Sequence, residues 1–394
     1  MNLFLIDQHT SYSASFAPIS GFFPEMARQA RILVVYQSPW LKHDSASGTI
    51  REISPNFWIV NRRVAAPFRA VLAFDSVAKV DAALLDMQLK KYAKELGWEP
   101  DIVEFSSPHF RQHFHGKVGR KKCYWLVDHY SKVPGVPPYI AGLTAHSETF
   151  AAKQGDLTIA TASELVKRFS PFAQQIRFLP NSADSNRFQP LWMNPIPEPE
   201  LLKKLKRPIF GYAGNINQIS DWKNFGDLVK QNPQYTFTLQ GTMDGPHEFY
   251  SGGIFSEIMR LPNIHYLGRV PHEELAAYFA HYDVGVVLDE INEFSKTRNQ
   301  NKMYQYLLSG IPITGPNAQP DYQHFSELLH LFDNPGDWPR KCEEALDSRD
   351  ETSSRRRREY GEKINMEKIV QVRMSMYEAL LSGKTIPEFR YPPV

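Results

Sequence analysis

The sequence predicts an α/β chain of two doubly wound parallel-sheet domains facing across a cleft. Three observations carry that expectation. Short runs rich in Val, Ile and Leu recur from end to end without polar alternation, as strands buried on both faces require. Between them lie stretches with apolar residues at helical spacing, the alternation that covers a parallel sheet with helices. The scheme also restarts in mid-chain. LPNSADSNRFQP (179–190) closes one half, and IFGYAGNINQISDW (209–222) opens another with a strand running into a glycine-bearing turn. A Pro- and Lys-rich connector separates them. At 394 residues the chain exceeds one ordinary core. The boundaries expected are a domain over 1–190, a linker over 191–207 and a domain over 208–394.

In the first half the strand candidates are LFLID (3–7), RILVVYQ (31–37), FWIVN (57–61), DIVEFS (101–106), CYWLVD (123–128), LTIATA (157–162) and IRFLP (176–180). VDAALLDMQLKKYAKELG between them reads as an amphipathic helix. The second half offers strands IFGYAG, YTFTLQG, NIHYLG, VGVVLD and IPITG, and helices DWKNFGDLVKQ, HEELAAYFAHY and NKMYQYLLSG. The last of these should stop at Gly310, because Ile311-Pro312 follows it. The closing helix, INMEKIVQVRMSMYEALLSG, has an apolar stripe that can pack back across the first domain.

Composition narrows the function class. Hydrophobic residues make up 42% and charged residues 22%, an ordinary globular balance that argues against wholesale disorder. A net charge of +2 gives no field that selects nucleic acid as partner. Cys123 and Cys342 fall in different halves, which excludes a disulfide framework and favours a reducing compartment. The N-terminal MNLFLIDQHT is interrupted by Asp7 too early for a signal peptide and reads as a first strand. No window approaches the roughly 18 apolar residues of a membrane span. A soluble cytoplasmic protein is expected. The basic runs Arg355–Arg358 and Lys203–Arg207 read as solvated faces or as attraction to the inner face of an anionic membrane.

Five segments in order carry a resemblance. DLTIATASELVKRF, LPNSADSNRFQP, IFGYAGNINQISDW, LPNIHYLGRVPHEELAAYFAHYDVGVVLD and NQNKMYQYLLSGIPITG resemble successive landmarks of glycosyltransferases with two Rossmann-like domains (the GT-B type), within the broad family 4. The similarity covers roughly residues 95 to 317. It implies a GT-B fold whose second domain binds a nucleoside-diphosphate sugar and whose first binds the acceptor. Ser182 stands where the junction motif usually has Gly. Many relatives carry two glutamates eight positions apart where this chain has Thr297 and Gln305. Many also carry a basic pair near the opening turn, where this chain offers Asn215 and Asp221.

Sugar transfer from such a donor requires a held diphosphate, stabilisation of positive charge at the anomeric carbon, and an acceptor hydroxyl nearby. For the donor, Gly211 and Gly214 can let backbone N–H groups approach phosphate, although a tight turn with no ligand fits them too. Arg298 and Lys302, at the start of a helix, suit an anion. Gln305 retains hydrogen-bonding capacity towards a ribose diol, with helix packing as the competing explanation. By resemblance, Asn215 borders the donor turn and Val270, after Gly268-Arg269, faces the base. Asp128 and His129 follow a buried strand at its C-terminal edge, where catalytic groups gather. The resemblance places a histidine or aspartate here, facing the donor sugar, with a strand-end pair satisfying loop backbone as the competing explanation. His109, His113 and His115 form a loop cluster that reads more naturally as solvated or, at His109, as an acceptor contact than as a metal site. No Asp-x-Asp signature is present.

The expectation is therefore a metal-independent, retaining hexosyltransferase-like enzyme with no cofactor beyond its nucleotide-sugar donor. Its acceptor would be a glycan or lipid-linked glycan in polysaccharide or glycoconjugate assembly. A nucleotide-sugar epimerase and a catalytically silent sugar- or nucleotide-binding protein share the same fold and stay open at this point.

Overall fold

The computed structural model describes residues 1–7, 17–37, 47–188, 196–243, 245–271 and 273–394. Gln189 and Pro190 of the junction motif, linker positions 191–195 and His272 lie outside the described residues. The chain divides into two compact units. One comprises Met1–Pro180, Thr297–Asn299 and Glu367–Arg390. The other comprises Asn181–Lys296, Gln300–Met366 and Tyr391–Val394.

The first unit is built on eight strands: β1 (Asn2–Ile6), β2 (Arg31–Gln37), β3 (Arg51–Ser54), β4 (Phe57–Arg62), β5 (Ile102–Phe105), β6 (Lys121–Leu126), β7 (Leu157–Ala160) and β8 (Ile176–Phe178). Their order is β3-β4-β2-β1-β5-β6-β7-β8, parallel throughout except where β3 pairs antiparallel with β4. Leu3 is in register with Ile32 on one side and Ile102 on the other, so β1 is central. All four β5 residues are buried, which explains why this region is apolar apart from Glu104. Phe4, Val35, Phe105 and Leu126 pack against Leu85, Leu89 and Tyr92 of the helix Asp75–Leu96 to form the core.

Glu104 is the charged exception in β5, and it is 2% exposed. It binds Arg373 and Tyr377 of the helix Met366–Ser382, and the Arg373 guanidinium lies 4.1 Å from the Trp125 ring centre. A buried carboxylate persists only with such partners. The closing helix thus completes the polar satisfaction of this unit's sheet.

The second unit carries six strands: β9 (Ile209–Ala213), β10 (Thr236–Gln240), β11 (Ile264–Gly268), β12 (Val284–Val286), β13 (Ile313–Pro316) and β14 (His330–Phe332). The order β11-β10-β9-β12-β13-β14 is parallel throughout. Counted within the unit it reads 3-2-1-4-5-6, the doubly wound dinucleotide-binding order, and the first unit holds the same order in its centre. In such sheets ligands bind outside the C-terminal strand ends where the order reverses, here β9 and β12 in one unit and β1 and β5 in the other.

Candidate functional site

In the second unit, β9 ends at Ala213 and the chain enters the turn Gly214-Asn215. The ladder continues past the strand ends: Gly214 N donates to Gln240 O at 2.9 Å, Ile216 N to Thr242 O at 2.9 Å, and Gly241 N to Gly268 O at 2.9 Å. Gly241 has φ +145°, and a Cβ there would stand 1.9 Å from the Gly214 carbonyl oxygen. Only a residue without a side chain permits this approach, so the turn is fixed by its neighbour.

Lys302 converges on the same turn. A Cβ placed on Gly214 would lie 2.7 Å from the Lys302 amine, which also sits 4.0 Å from the centre of the Tyr212 ring. The Tyr212 hydroxyl donates to Asn215 O at 2.9 Å and braces the turn. Lys302 occupies the first turn of the helix Asn301–Ser309, whose preceding residue, Gln300, makes no side-chain cap. Its amide donates instead to buried Asp289, beyond the end of β12. The first N–H groups of a helix without a cap carry partial positive charge. Glycine turn, ammonium and helix start converge on one corner at the switch point, an arrangement whose charge suits an anion.

The remaining second-unit candidates distribute around this corner. Asn215 is exposed in the turn, Val270 is half-buried beyond β11, and Gln305 is buried one turn along the helix from Lys302. Gly211 lies elsewhere, inside β9, where a Cβ would meet the Tyr282 ring at 2.3 Å. Its carbonyl accepts from the Tyr306 hydroxyl at 3.1 Å. The missing side chain makes room for an aromatic ring, and the structure does not bring Gly211 to the turn. Helix Asn301–Ser309 ends at Gly310 with φ 76°. Asp221 caps the helix Trp222–Gln231 by accepting from Asn224 N at 3.1 Å, and Trp222 is core.

In the first unit, Asp128 and His129 follow β6. Thr161 Oγ1 donates to Val127 O at 2.7 Å and ties the strand end to β7. Asp128 Oδ1 lies 4.0 Å from Nε of Arg298, so the Thr297–Asn299 segment brings two candidates together within this unit. His129 is buried, with the Phe169 ring edge-on at 5.5 Å. Its Nε2 faces the Glu148 carboxylate at 3.7 Å. Glu148, on the buried side of the helix Pro138–Gln154, is 0% exposed and accepts from Ser131 Oγ at 2.6 Å and Ser131 N at 3.4 Å. Burial is the main influence on this carboxyl and pushes it up to about 7, against the Ser131 bonds that favour its anion.

The three loop histidines take three different environments. His109 is half-buried, with Nδ1 2.6 Å from Ser107 Oγ. Burial, helped by the Arg111 charge, lowers its pKa to about 3 and keeps the ring neutral. His113 is in the core, between Asp81 at 3.2 Å and Phe110 O at 3.0 Å. His115 is exposed, its ring edge against Phe150 at 5.5 Å. Among the described residues no three His, Cys, Asp or Glu side chains are grouped to hold a metal ion.

Glu148 and Tyr212 touch candidate residues, and Gln300, bonded to Asp289, precedes the helix that carries Lys302; the sequence reading singled out none of them. Pro137-Pro138 could have marked the start of the helix carrying Glu148, since proline favours the first helical position.

No family model matches the chain. It is 25% identical over 166 residues to TuaH of Bacillus subtilis (strain 168), a protein assigned to teichuronic acid biosynthesis as a glycosyltransferase. That alignment covers 41% of this chain and 41% of the relative, so the chain matches well under two thirds of the relative's length. Among solved structures it is similar to sucrose-phosphate synthase from Thermosynechococcus elongatus, with a TM-score of 0.75 and 14% identity over 97% of this chain and 100% of that one. An E. coli trehalose-6-phosphate structure bound with UDP-2-fluoro glucose gives 0.68 at 12% identity, over 96% and 99% of the two chains. HepE of Anabaena in complex with UDP-glucose gives 0.66 at 14% identity, over 97% and 100%. At these identities the structural likeness speaks for the fold. Two parallel sheets in doubly wound order, matched over nearly the whole chain, establish the GT-B fold of the glycosyltransferases for this protein.

Proposed function

We propose that this protein is a glycosyltransferase that moves a sugar from a nucleoside-diphosphate donor to a glycan or glycolipid acceptor, without a metal ion and with retention of anomeric configuration. The observation that carries the reading is the corner formed by the Gly214 turn, the Lys302 amine and the start of helix Asn301–Ser309. A diphosphate supplies the charge that this corner lacks. Ammonium and helix start would neutralise the leaving phosphate as the glycosidic bond breaks, the part played by a divalent cation in other transferases. Gln305 and Val270 are assigned to ribose and base, and Asn215 to the turn itself. The relationship to TuaH and the UDP-sugar complexes of two structural relatives support the choice of donor class.

Asp128 and His129 are assigned to the sugar, Arg298 to the donor phosphates or to Asp128, and His109 to the acceptor. His109 is held neutral, so it offers hydrogen bonds without charge. The setting we propose is polysaccharide or glycoconjugate assembly, at the cytoplasmic face of a membrane where the acceptor is lipid-linked. No helix among the described residues is long and apolar enough to cross a membrane.

A panel of nucleoside-diphosphate sugars tests the reading. The purified chain should release nucleoside diphosphate from one of them, faster with a glycan acceptor, and chelator should leave the rate unchanged. Release from none of the panel contradicts the assignment. Activity abolished by chelator and restored by a divalent ion contradicts metal independence alone.

A further inference from the structure

We propose that Glu148 is a positioning residue for His129, holding the imidazole in orientation and sharing a proton with it. The inference rests on the reading above, in which His129 faces the donor sugar. The carboxylate is fully buried, with Oε2 3.7 Å from His129 Nε2. The separation is longer than a formed hydrogen bond, and such contacts often tighten only in the loaded enzyme. Phe169 closes against the ring at 79°, which limits its rotation.

Burying the Glu148 carboxylate to this degree is costly unless it is paired or hydrogen-bonded. Its strongest partner is Ser131, through hydroxyl and backbone N–H, two residues beyond His129 in the same loop. Glu148 therefore grips the loop at the point that sets where His129 stands. The groups facing it are Asp128, His129, Tyr130 and Ser131 from that loop, and Tyr124 from β6. Arg111 of the neighbouring segment Pro108–His115 is bonded to Ser147 on Glu148's own helix, at 2.8 Å. Asp128 and Tyr124 are acidic groups, so His129 is the facing ring able to take up positive charge next to this carboxylate. Two groups this close and of this kind titrate as a pair, one proton passing between carboxyl and imidazole. His129 would then meet the sugar with its charge set by this carboxylate.

A purely structural role for Glu148, as a staple for the Ser131 turn, predicts something different. Glutamine retains the shape and an acceptor for Ser131, so a staple survives Glu148→Gln and His129 is unaffected. The coupling is read by NMR on chain carrying labelled histidine and glutamate, with no donor present. The expected result is that Glu148→Gln lowers the His129 midpoint by at least about one pH unit. In transfer assays the same variant should lose roughly tenfold in kcat, with a displaced pH profile and nucleoside-diphosphate affinity within about twofold of the parent. If the variant does not fold, the parent decides, since both resonances should show both midpoints. Identical His129 titration in parent and variant, or independent titrations in the parent, overturns the proposal, as does a parental kcat and pH profile in a folded variant. The NMR result stands apart from the functional reading. A coupled pair in a chain that transfers no sugar refutes the transferase, whereas active transfer with uncoupled titrations refutes only Glu148.

Discussion

Glu148 bears its charge against the preference of its surroundings, and this has a sign that stability measurements can read. Its carboxyl rises from 4.5 to about 7 on folding, so the folded state holds its proton more tightly than the unfolded chain. The stability it contributes is full below pH 4.5 and is lost as pH rises through 7. Glu148→Gln should therefore raise stability at pH 8 by ~1–3 kcal/mol and leave it little changed at pH 4.5, as measured by urea unfolding. His109 and His330 act in the opposite sense. Burial depresses them from 6.5 to about 3 and about 4, so their stabilising contribution is present above pH 6.5 and lost as pH falls. Replacing both by Gln should flatten the acid side of the stability profile, and an unchanged acid limb would show that neither ring resists protonation in solution. Asp128 and His129 belong to this scale as well. If they act on the sugar, alanine at either lowers kcat and kcat/KM together and leaves nucleotide binding within a few-fold. Parental turnover in a folded variant would return the pair to a structural role.

At the scale of elements, the strand candidates of both halves lie on the strands of the two sheets. Non-alternating apolar runs are a strong signal, because strands buried on both faces require them. The elements that escaped reading lacked that signal. β3, REIS, is a mostly exposed antiparallel edge with two charged residues, and β14 is three residues long. The helix Pro138–Gln154 mixes Gly142, Thr144, His146 and Ser147 with its apolar residues and shows little amphipathic contrast. The candidate site was legible where a local pattern marks it, as at Gly214 and Lys302. It was illegible at Asp289 and Glu148, whose contacts lie 11 and 17 residues away, and at Tyr212, whose ring meets Lys302 from a distant segment. Gly211 shows the converse, since a glycine beside a turn motif can exist to admit a ring.

Two glycines test the geometry of the corner. Gly241 and Gly268 both have positive φ, but a Cβ at Gly241 meets the Gly214 carbonyl oxygen at 1.9 Å, whereas one at Gly268 meets nothing within 4 Å. Gly268→Ala should cost only the backbone strain, of the order of 1 kcal/mol, and retain diphosphate affinity. Gly241→Ala must displace the turn and should cost more stability and at least tenfold in affinity. Equal effects of the two, by calorimetry and thermal unfolding, would remove the turn from the site. In the first unit, Glu104→Ala would leave Arg373 buried without its carboxylate, at a cost of ~3–5 kcal/mol, and hydrogen exchange should show the helix Met366–Ser382 loosened.

At the scale of the whole molecule, the same strand order is used twice, and each copy presents a set of candidate residues at its C-terminal strand ends. The corner of the Gly214 turn and Lys302 stands on the second unit, and the Asp128–His129–Glu148 group on the first. The division of labour proposed from this is nucleotide on one and sugar chemistry on the other. Its central claim is that the Gly214 turn and Lys302 hold a diphosphate. Calorimetric titration of the parent and of Lys302→Ala with a nucleoside diphosphate, and with the matching nucleoside, tests that claim most directly. A charge-assisted contact contributes about 1.5–3 kcal/mol, so the variant should bind the diphosphate roughly 10- to 100-fold more weakly while the nucleoside binds both proteins alike. Equal diphosphate affinity in parent and variant would contradict the account.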